Sequence, residues 1–481
     1  MDLRKIFNLI PEVSKPREKK LDFNTKLKWT LIVLGLFFIL ANIMLFGLSK
    51  NALSKFEYLA VILGTQFGSI ISLGIGPIVM ASIILQLLTG VQIINIDTTT
   101  AEGKKFFQGL QKLLVFFFII FEAVIYVSMN ALQATPGFSG LVIFQLILGG
   151  LAIFYMDDLM QKWGFGSGVS LFIAAGVSWR LITGSLQFLG AQGQNCLLDF
   201  KNTACSGKIL VVLQALMNQH PIEFASAMAA IITTVIIFLA VVWAQSLKVE
   251  IPLSFGRIRG YGVKWPLSFF YASVIPVILT AALIANVQLL GGLIENAAAP
   301  CMQAGMGVCT GLAKFASHFT FLGHFVDGRA VSGFAFWLGS TNILELIIRG
   351  GFSKIYLLQA ITHTIVFMLF STLFAVFWVK TSGMDAKTQA KKIASSGLQV
   401  AGFRQDTRIL ETILDRYIMP LTVMGGLAIG LLASLASLLG AIVSGTAMLL
   451  VIMIMYKFYQ DIAKEHEMDM NPALRKFMGN I

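Results

Sequence analysis

The stretch Ile71-Ser-Leu-Gly-Ile-Gly-Pro-Ile-Val-Met-Ala-Ser-Ile-Ile-Leu-Gln-Leu-Leu88 decides the fold. It is apolar enough to enter a membrane, yet it is badly made for a plain span. Gly74 and Gly76 are flexible, and Pro77 has no N–H to donate. Proline suits the first helical turn, where that N–H would lack a partner anyway. The stretch therefore predicts a helix that starts near Pro77. The chain before it, about 56–69, is broken away as a separate short element. Such a break is tolerated at membrane depth only when it is buried in protein or lines a wet cavity. Two readings follow: a kinked span in a bundle, or a helix lining a pathway with a movable segment beside it.

The rest of the chain supplies the bundle. The 481 residues are 57% hydrophobic and 12% charged, against about 25% charged in an average soluble domain. A soluble fold could not hide so much apolar surface, so the chain reads as a polytopic membrane protein. Its net charge of +12 raises a nucleic-acid partner. Basic loops on one side of a membrane account for the charge better, and no DNA partner is expected. Met1–Lys28 carries no cleavable signal pattern. Within it, residues 3–10 suit a short helix lying on a membrane surface.

Ten spans are predicted, at 28–48, 74–91, 110–133, 139–161, 167–188, 221–247, 266–291, 355–380, 417–441 and 443–464. They divide the chain into a basic tail (1–27), a first half (28–188), a polar connecting loop (189–220), a second half (221–464) and a C-terminal tail (465–481). The fold class is thus all-α, two five-helix halves of opposite membrane orientation, a plan that recurs in proteins opening around a midplane site. Three quarters of the 36 lysines and arginines fall in the two tails and the loops on the same side. The positive-inside rule makes that side, with both termini, cytosolic. The same side holds two long basic loops, 248–265 and 380–416. Asp157 and Asp158 end a span there, where solvated charge is expected. Cys196, Cys205, Cys301 and Cys309 lie on the other side. They stand either as unrelated thiols or as two local disulfides, Cys196–Cys205 and Cys301–Cys309, given an oxidising exterior.

The motifs carry a resemblance. Leu73-Gly-Ile-Gly-Pro-Ile-Val79, Phe107-Gln-Gly-Leu-Gln-Lys112, Gly164-Phe-Gly-Ser-Gly168 and Val249-Glu-Ile-Pro-Leu253 occur in that order. Gly256-Arg-Ile-Arg259, Ile275-Pro-Val-Ile278, Gly328-Arg-Ala-Val331, Gly402-Phe-Arg404 and Pro420-Leu-Thr-Val-Met424 follow. Together they resemble the SecY family, the large subunit of the Sec protein-conducting translocon, in its archaeal and eukaryote-like form. The resemblance implies a mid-membrane ring of aliphatic side chains at Ile75, Val79, Val169, Ile173, Ile278 and Leu450, with Ile275 one turn before Ile278. It implies a plug at about 56–67, with Phe56, Leu59, Ile62, Leu63, Gly64, Thr65, Gln66 and Phe67. It places Glu122 and Asn286 near a lateral gate, beside Met80 where the family commonly has a small polar residue. It gives Arg257, Arg259, Lys264 and Arg404 to ribosome contact. The implied partners are a SecE-like (gamma) subunit, a small beta or SecG-like subunit, a ribosome with its nascent chain, signal peptides and membrane lipid. The implied location is the cell (plasma) membrane.

The implied function is a gated pore that moves secretory polypeptides and releases membrane segments sideways into lipid. The chain has no phosphate-binding Gly-rich loop, no His-Glu-x-x-His and no Cys-x-x-Cys. No cofactor, metal or enzymatic activity is expected, and the driving force belongs to a partner. The competing reading is a secondary transporter. It needs several polar groups at the midplane, where the candidates are only Glu122, Asn286, Gln288 and His363.

Overall fold

The computed structural model describes residues 11–17, 21–51, 65–91, 93–94, 96, 100–129, 131–190, 194–198, 200, 203–255, 262–272, 274–304, 317–326, 329–395, 398–400 and 406–470. It is mostly helical. The first half holds α1 (Phe23–Asn42), α2 (Gly76–Gly90), α3 (Ala101–Ser128), α4 (Ser139–Trp163) and α5 (Gly168–Leu186). The connecting loop contains a helix of its own, α6 (Lys208–Met217). The second half holds α7 (Pro221–Ser246), α8 (Ile275–Ala304), the short α9 (Phe334–Leu338) and α10 (Ile343–Ile348), α11 (Lys354–Thr381), α12 (Ala386–Ser395), α13 (Thr407–Leu439) and α14 (Gly445–Met470).

Nine helical segments among the described residues are long and apolar enough to cross a membrane. The tenth expected span is α2, which has 15 residues. At about 1.5 Å per residue it reaches roughly 22 Å, short of the ~30 Å hydrocarbon core. The missing length is the broken chain ahead of it. Residues 65–75 are mostly buried, wholly so from Ile71 to Ile75, and run as successive turns. Their polar groups are satisfied internally: Thr65 donates to the Ile71 carbonyl at 2.5 Å, Ser72 to that of Ser69 at 2.6 Å, and Gly68 N–H to Ser72 Oγ at 2.8 Å. The chain just after α1 ties the segment down, through Leu45 N–H to the Gly68 carbonyl and Ile70 N–H to that of Ile43, both 2.9 Å. This is how non-helical backbone survives at membrane depth. Of the expected plug, only Thr65, Gln66 and Phe67 fall within the described residues. The expected surface helix at 3–10 falls outside them.

Small residues set the helix packing, as is usual where lipid removes the hydrophobic drive between helices. Gly426 and Gly430, four apart on α13, lie against the α11 backbone. A Cβ on either would come within 2.8 Å of a Cα, that of Thr372 or of Met368. Helix α14 packs against α5 in the first half and α7 and α13 in the second. Helix α2 packs against α3 on one side and against α8 and α11 on the other.

Two expectations need correction. The seventh span does not begin at 266. Residues 262–268 form strand β4 (Gly262–Ser268), after β1 (Leu48–Asn51), β2 (Leu132–Ala134) and β3 (Lys248–Phe255), and α8 starts at Ile275. The apolar run Trp265–Phe270 reads as membrane by hydropathy, but its Leu267 and Phe270 are buried in protein. Nor are Asp157 and Asp158 solvated: they are 6% and 8% exposed. The N-terminal tail covers Asp158, and the first turn of α5 covers Asp157.

Candidate functional site

The site is built at the breaks in the helices. Gly74 takes φ +54°, a left-handed conformation that glycine adopts without strain. That turn delivers Ile75 to the N-cap of α2, with Pro77 in the first turn. Val79 follows one turn on, its N–H bonded to the Ile75 carbonyl at 3.0 Å. On α5, Val169 and Ile173 share a face, being four apart. On α8, the Val274 carbonyl accepts from Val277 and Ile278 N–H at 3.1 and 3.2 Å, so Ile275 and Ile278 lie in the opening turn. Leu450 comes from the second turn of α14.

All seven aliphatic residues belong to one contiguous apolar cluster. Ile75, Val79, Ile173, Ile278 and Leu450 are buried in it, and Val169 and Ile275 pack on it half-buried. Helices from both halves therefore meet on a surface without a hydrogen-bonding side chain among those seven. Such a surface cannot hold a passing chain by fixed polar contacts, and a narrow apolar constriction excludes water and ions by dewetting.

The seam beside it runs where α2 meets α8 and α11. Gly90 fits directly against the ring of Phe377 on α11. Glu122 and Asn286 are both buried, at 9% and 7% exposure. Glu122 Oε2 has no hydrogen-bond partner and faces Gly76, where a Cβ would lie 3.1 Å from it. Asn286 Nδ2 donates to the Ala282 carbonyl of its own helix at 2.8 Å. No hydrogen bond between the two is present among the described residues. Met80 packs half-buried on the apolar cluster. His363 and Gln288 do not open onto a solute site. His363 Nδ1 meets the Leu338 carbonyl at 2.7 Å, and Gln359 donates to that of Phe336 at 2.8 Å, so both hold the α9 segment. The Gln288 side chain lies where a Cβ on Gly339, just after α9, would meet it at 3.1 Å.

The two basic loops are joined. Strand β3 pairs antiparallel with β4 and, through Leu253↔Val400, Ser254↔Gln399 and Phe255↔Leu398, with β7 (Leu398–Val400), which follows β5 (His324–Val326) and β6 (Arg329–Ser332) in the chain. Lys264 is exposed and bonds Glu250 at 2.7 Å, a contact that raises its pKa. Arg257, Arg259 and Arg404 lie outside the described residues. On the other face Cys196 and Cys205 are joined by a disulfide; the Cys301 side chain and Cys309 lie outside the described residues.

A second polar site escaped the sequence reading. Residues 11–14 form a strap over the side of α3 and the end of α4. Glu12 pairs with Lys112 at 2.6 Å and Lys162 at 3.2 Å. Val13 N–H donates to Asp158 Oδ2 at 2.9 Å, Lys162 to the Val13 carbonyl at 2.7 Å, and Trp163 Nε1 to that of Ser14 at 2.9 Å. Lys162 also pairs with Asp158 at 2.8 Å. The signal available was an Asp-Asp pair with a lysine four residues on, inside an apolar helix.

Broken helices, a buried aliphatic cluster shared by both halves and a close-packed seam between them define a polytopic channel-type membrane protein. Comparison with known proteins then gives the family. The SecY family model matches residues 69–459. The protein translocase subunit SecY of Methanothermobacter thermautotrophicus is 40% identical over 480 residues, covering 99% of this chain and 98% of its own. That of Methanocaldococcus jannaschii is 39% identical over 475 residues, covering 98% of each chain. The solved structure of a protein-conducting channel matches with TM-score 0.80 at 37% identity, over 98% of this chain and 99% of its own. Sec61 in the canine ribosome-channel complex matches with TM-score 0.77 at 37% identity, over the same shares. The chain belongs to the SecY family.

Proposed function

We propose that this chain is the pore-forming subunit of a protein translocase. Secretory polypeptides pass through the aliphatic constriction, and membrane segments leave for lipid through the seam between α2 and the α8–α11 pair. The observation that carries the reading is that Ile75, Val79, Ile173, Ile278 and Leu450, from helices of both halves, are all buried in the same contiguous apolar cluster. A seal that must pass any sequence needs side chains without fixed hydrogen bonds.

The segment at 56–67 serves as the plug beneath the constriction. Both termini and the two basic loops face the cytosol of the cell membrane, as the charge bias requires. There Arg257, Arg259, Lys264 and Arg404 offer cations to ribosomal RNA phosphates, in keeping with the likeness to a ribosome-bound channel. A SecE-like subunit clamps the halves and a small beta or SecG-like subunit joins them.

One experiment tests the reading. A photoreactive amino acid is placed at Ile278 in the reconstituted protein, and ribosomes carrying stalled chains are added. The expected result is an adduct to the stalled chain that requires a signal sequence. Absence of that adduct, with chain crosslinking retained at a lipid-facing position such as Ile236, would remove Ile278 from the translocation path.

A further inference from the structure

We infer that Asp157 is a positioning residue for the constriction: its carboxylate holds the first turn of α5, and with it Val169, against the seal. The inference rests on reading the aliphatic cluster as the constriction. Asp157 lies in α4, 6% exposed, and an ionisable residue in a membrane helix is a functional candidate by default. Both of its oxygens are engaged. Oδ1 accepts from Val169 N–H at 3.0 Å, and Oδ2 from Gln161 Nε2 at 2.8 Å. The first N–H groups of any helix lack partners within it, and a carboxylate there also meets the positive end of the helix dipole. Ser167 Oγ caps the Ser170 N–H at 3.4 Å, and the Asp157 side chain, from a neighbouring span, takes the Val169 N–H and ties that first turn to α4.

The fit is close enough to transmit position. A Cβ on Gly168 would come within 2.7 Å of Asp157 Cα and 2.9 Å of its Oδ1. Only a glycine lets the first turn of α5 settle there. Val169 is the next residue, and it packs on the cluster that includes Val79 and Leu450. The end of α4 is itself anchored, because the adjacent Asp158 is tied to Lys162 and to the N-terminal strap. Moving the α5 turn outward by even an ångström opens a gap beside a half-buried ring residue.

The test is resting ion conductance of the full chain, purified in its membrane complex and placed in planar bilayers. Asp157→Ala is expected to raise the leak at least tenfold. Asp157→Asn, whose amide oxygen still accepts from Val169 N–H, is expected to stay sealed. Gly168→Ala keeps the carboxylate but pushes the turn away, and is expected to leak like Asp157→Ala. Ile278→Gly tests the constriction itself. If Ile278→Gly leaks while Asp157→Ala and Gly168→Ala stay sealed, the role of Asp157 is overturned and the constriction stands. If Ile278→Gly stays sealed, the constriction reading fails first. Equal leaks from Asp157→Ala and Asp157→Asn would also overturn the inference, because the retained acceptor would then hold nothing. Should Asp157→Ala fail to assemble, a sealed Gly168→Ala overturns it alone.

Discussion

At the scale of single residues, glycine marks where the broken segment rests. Gly149 on α4 faces the Ile70 carbonyl so closely that a Cβ would come within 1.9 Å of the oxygen. The obstacle is backbone, so no rotamer change relieves it. Overpacking in a filled core costs about 1–3 kcal/mol, and a backbone obstacle belongs at the upper end. Gly149→Ala is therefore expected to lower the thermal unfolding midpoint by several degrees in detergent, while Gly35→Ala on α1, with nothing within 4 Å of its Cβ, leaves it unchanged. Equal midpoints for the two variants would contradict the close approach. Single residues also show what sequence could and could not reveal. The helix start at Gly76–Pro77 was legible because glycine and proline act locally through φ and a missing N–H. The burial of Asp157 and Asp158 was not legible, because Asp158 is covered by a segment 145 residues away and Asp157 by the first turn of the next helix.

At the scale of elements, the strap at residues 11–14 is held by charge rather than by apolar burial, which makes it sensitive to pH. The hydrogen bond from Lys112, with the Lys112 and Lys162 charges, keeps the Glu12 carboxyl below its ordinary value of 4.5 against the opposing effect of burial. A depressed folded-state pKa stabilises the docked strap above that ordinary value. The contribution is lost as pH falls through the lowered one. Glu12 is half-exposed, so each ion pair is worth about 0.2–1 kcal/mol, a few-fold in docking equilibrium. A fluorophore at Lys15→Cys should show steady anisotropy from pH 8 down to the ordinary carboxyl value of 4.5, and greater mobility only at pH below it. Glu12→Gln should show the mobile signal at neutral pH. Anisotropy that ignores both pH and the Gln substitution would mean that the ion pairs do not hold the strap. Elements also account for the span that began too early on paper. The run Trp265–Phe270 has membrane-like hydropathy, and pairing with β3 in a local hairpin makes its first part, to Ser268, a strand. The third strand of that sheet, β7, comes from the other basic loop, and pairing between distant loops leaves no periodic trace in either one.

At the scale of the whole molecule, the two halves touch along a continuous apolar surface, and the consequence concerns movement. That the chain is a many-span helical bundle was legible from composition and span count. The closeness of the seam between the halves was not, because it depends on which helices become neighbours. Helix α2 is the element that spans it, packed on α3 within its own half and on α8 and α11 of the other. A polypeptide is wider than the filled cluster allows, so transport needs α2 to part from α11. Gly90 and the Phe377 ring are in direct apposition across that seam. Cysteines at 90 and 377 place their β-carbons within reach of a disulfide, which needs about 3.5–4.5 Å between them. Oxidation of that pair in reconstituted vesicles is expected to stop both secretion of a signal-bearing substrate and lipid insertion of a membrane segment, and reductant should restore both. Either single cysteine variant should be indifferent to oxidant. If the oxidised pair still secretes at the normal rate, the seam need not open for the chain to pass. If secretion continues while insertion alone stops, the seam is an exit to lipid and the axial path opens without it.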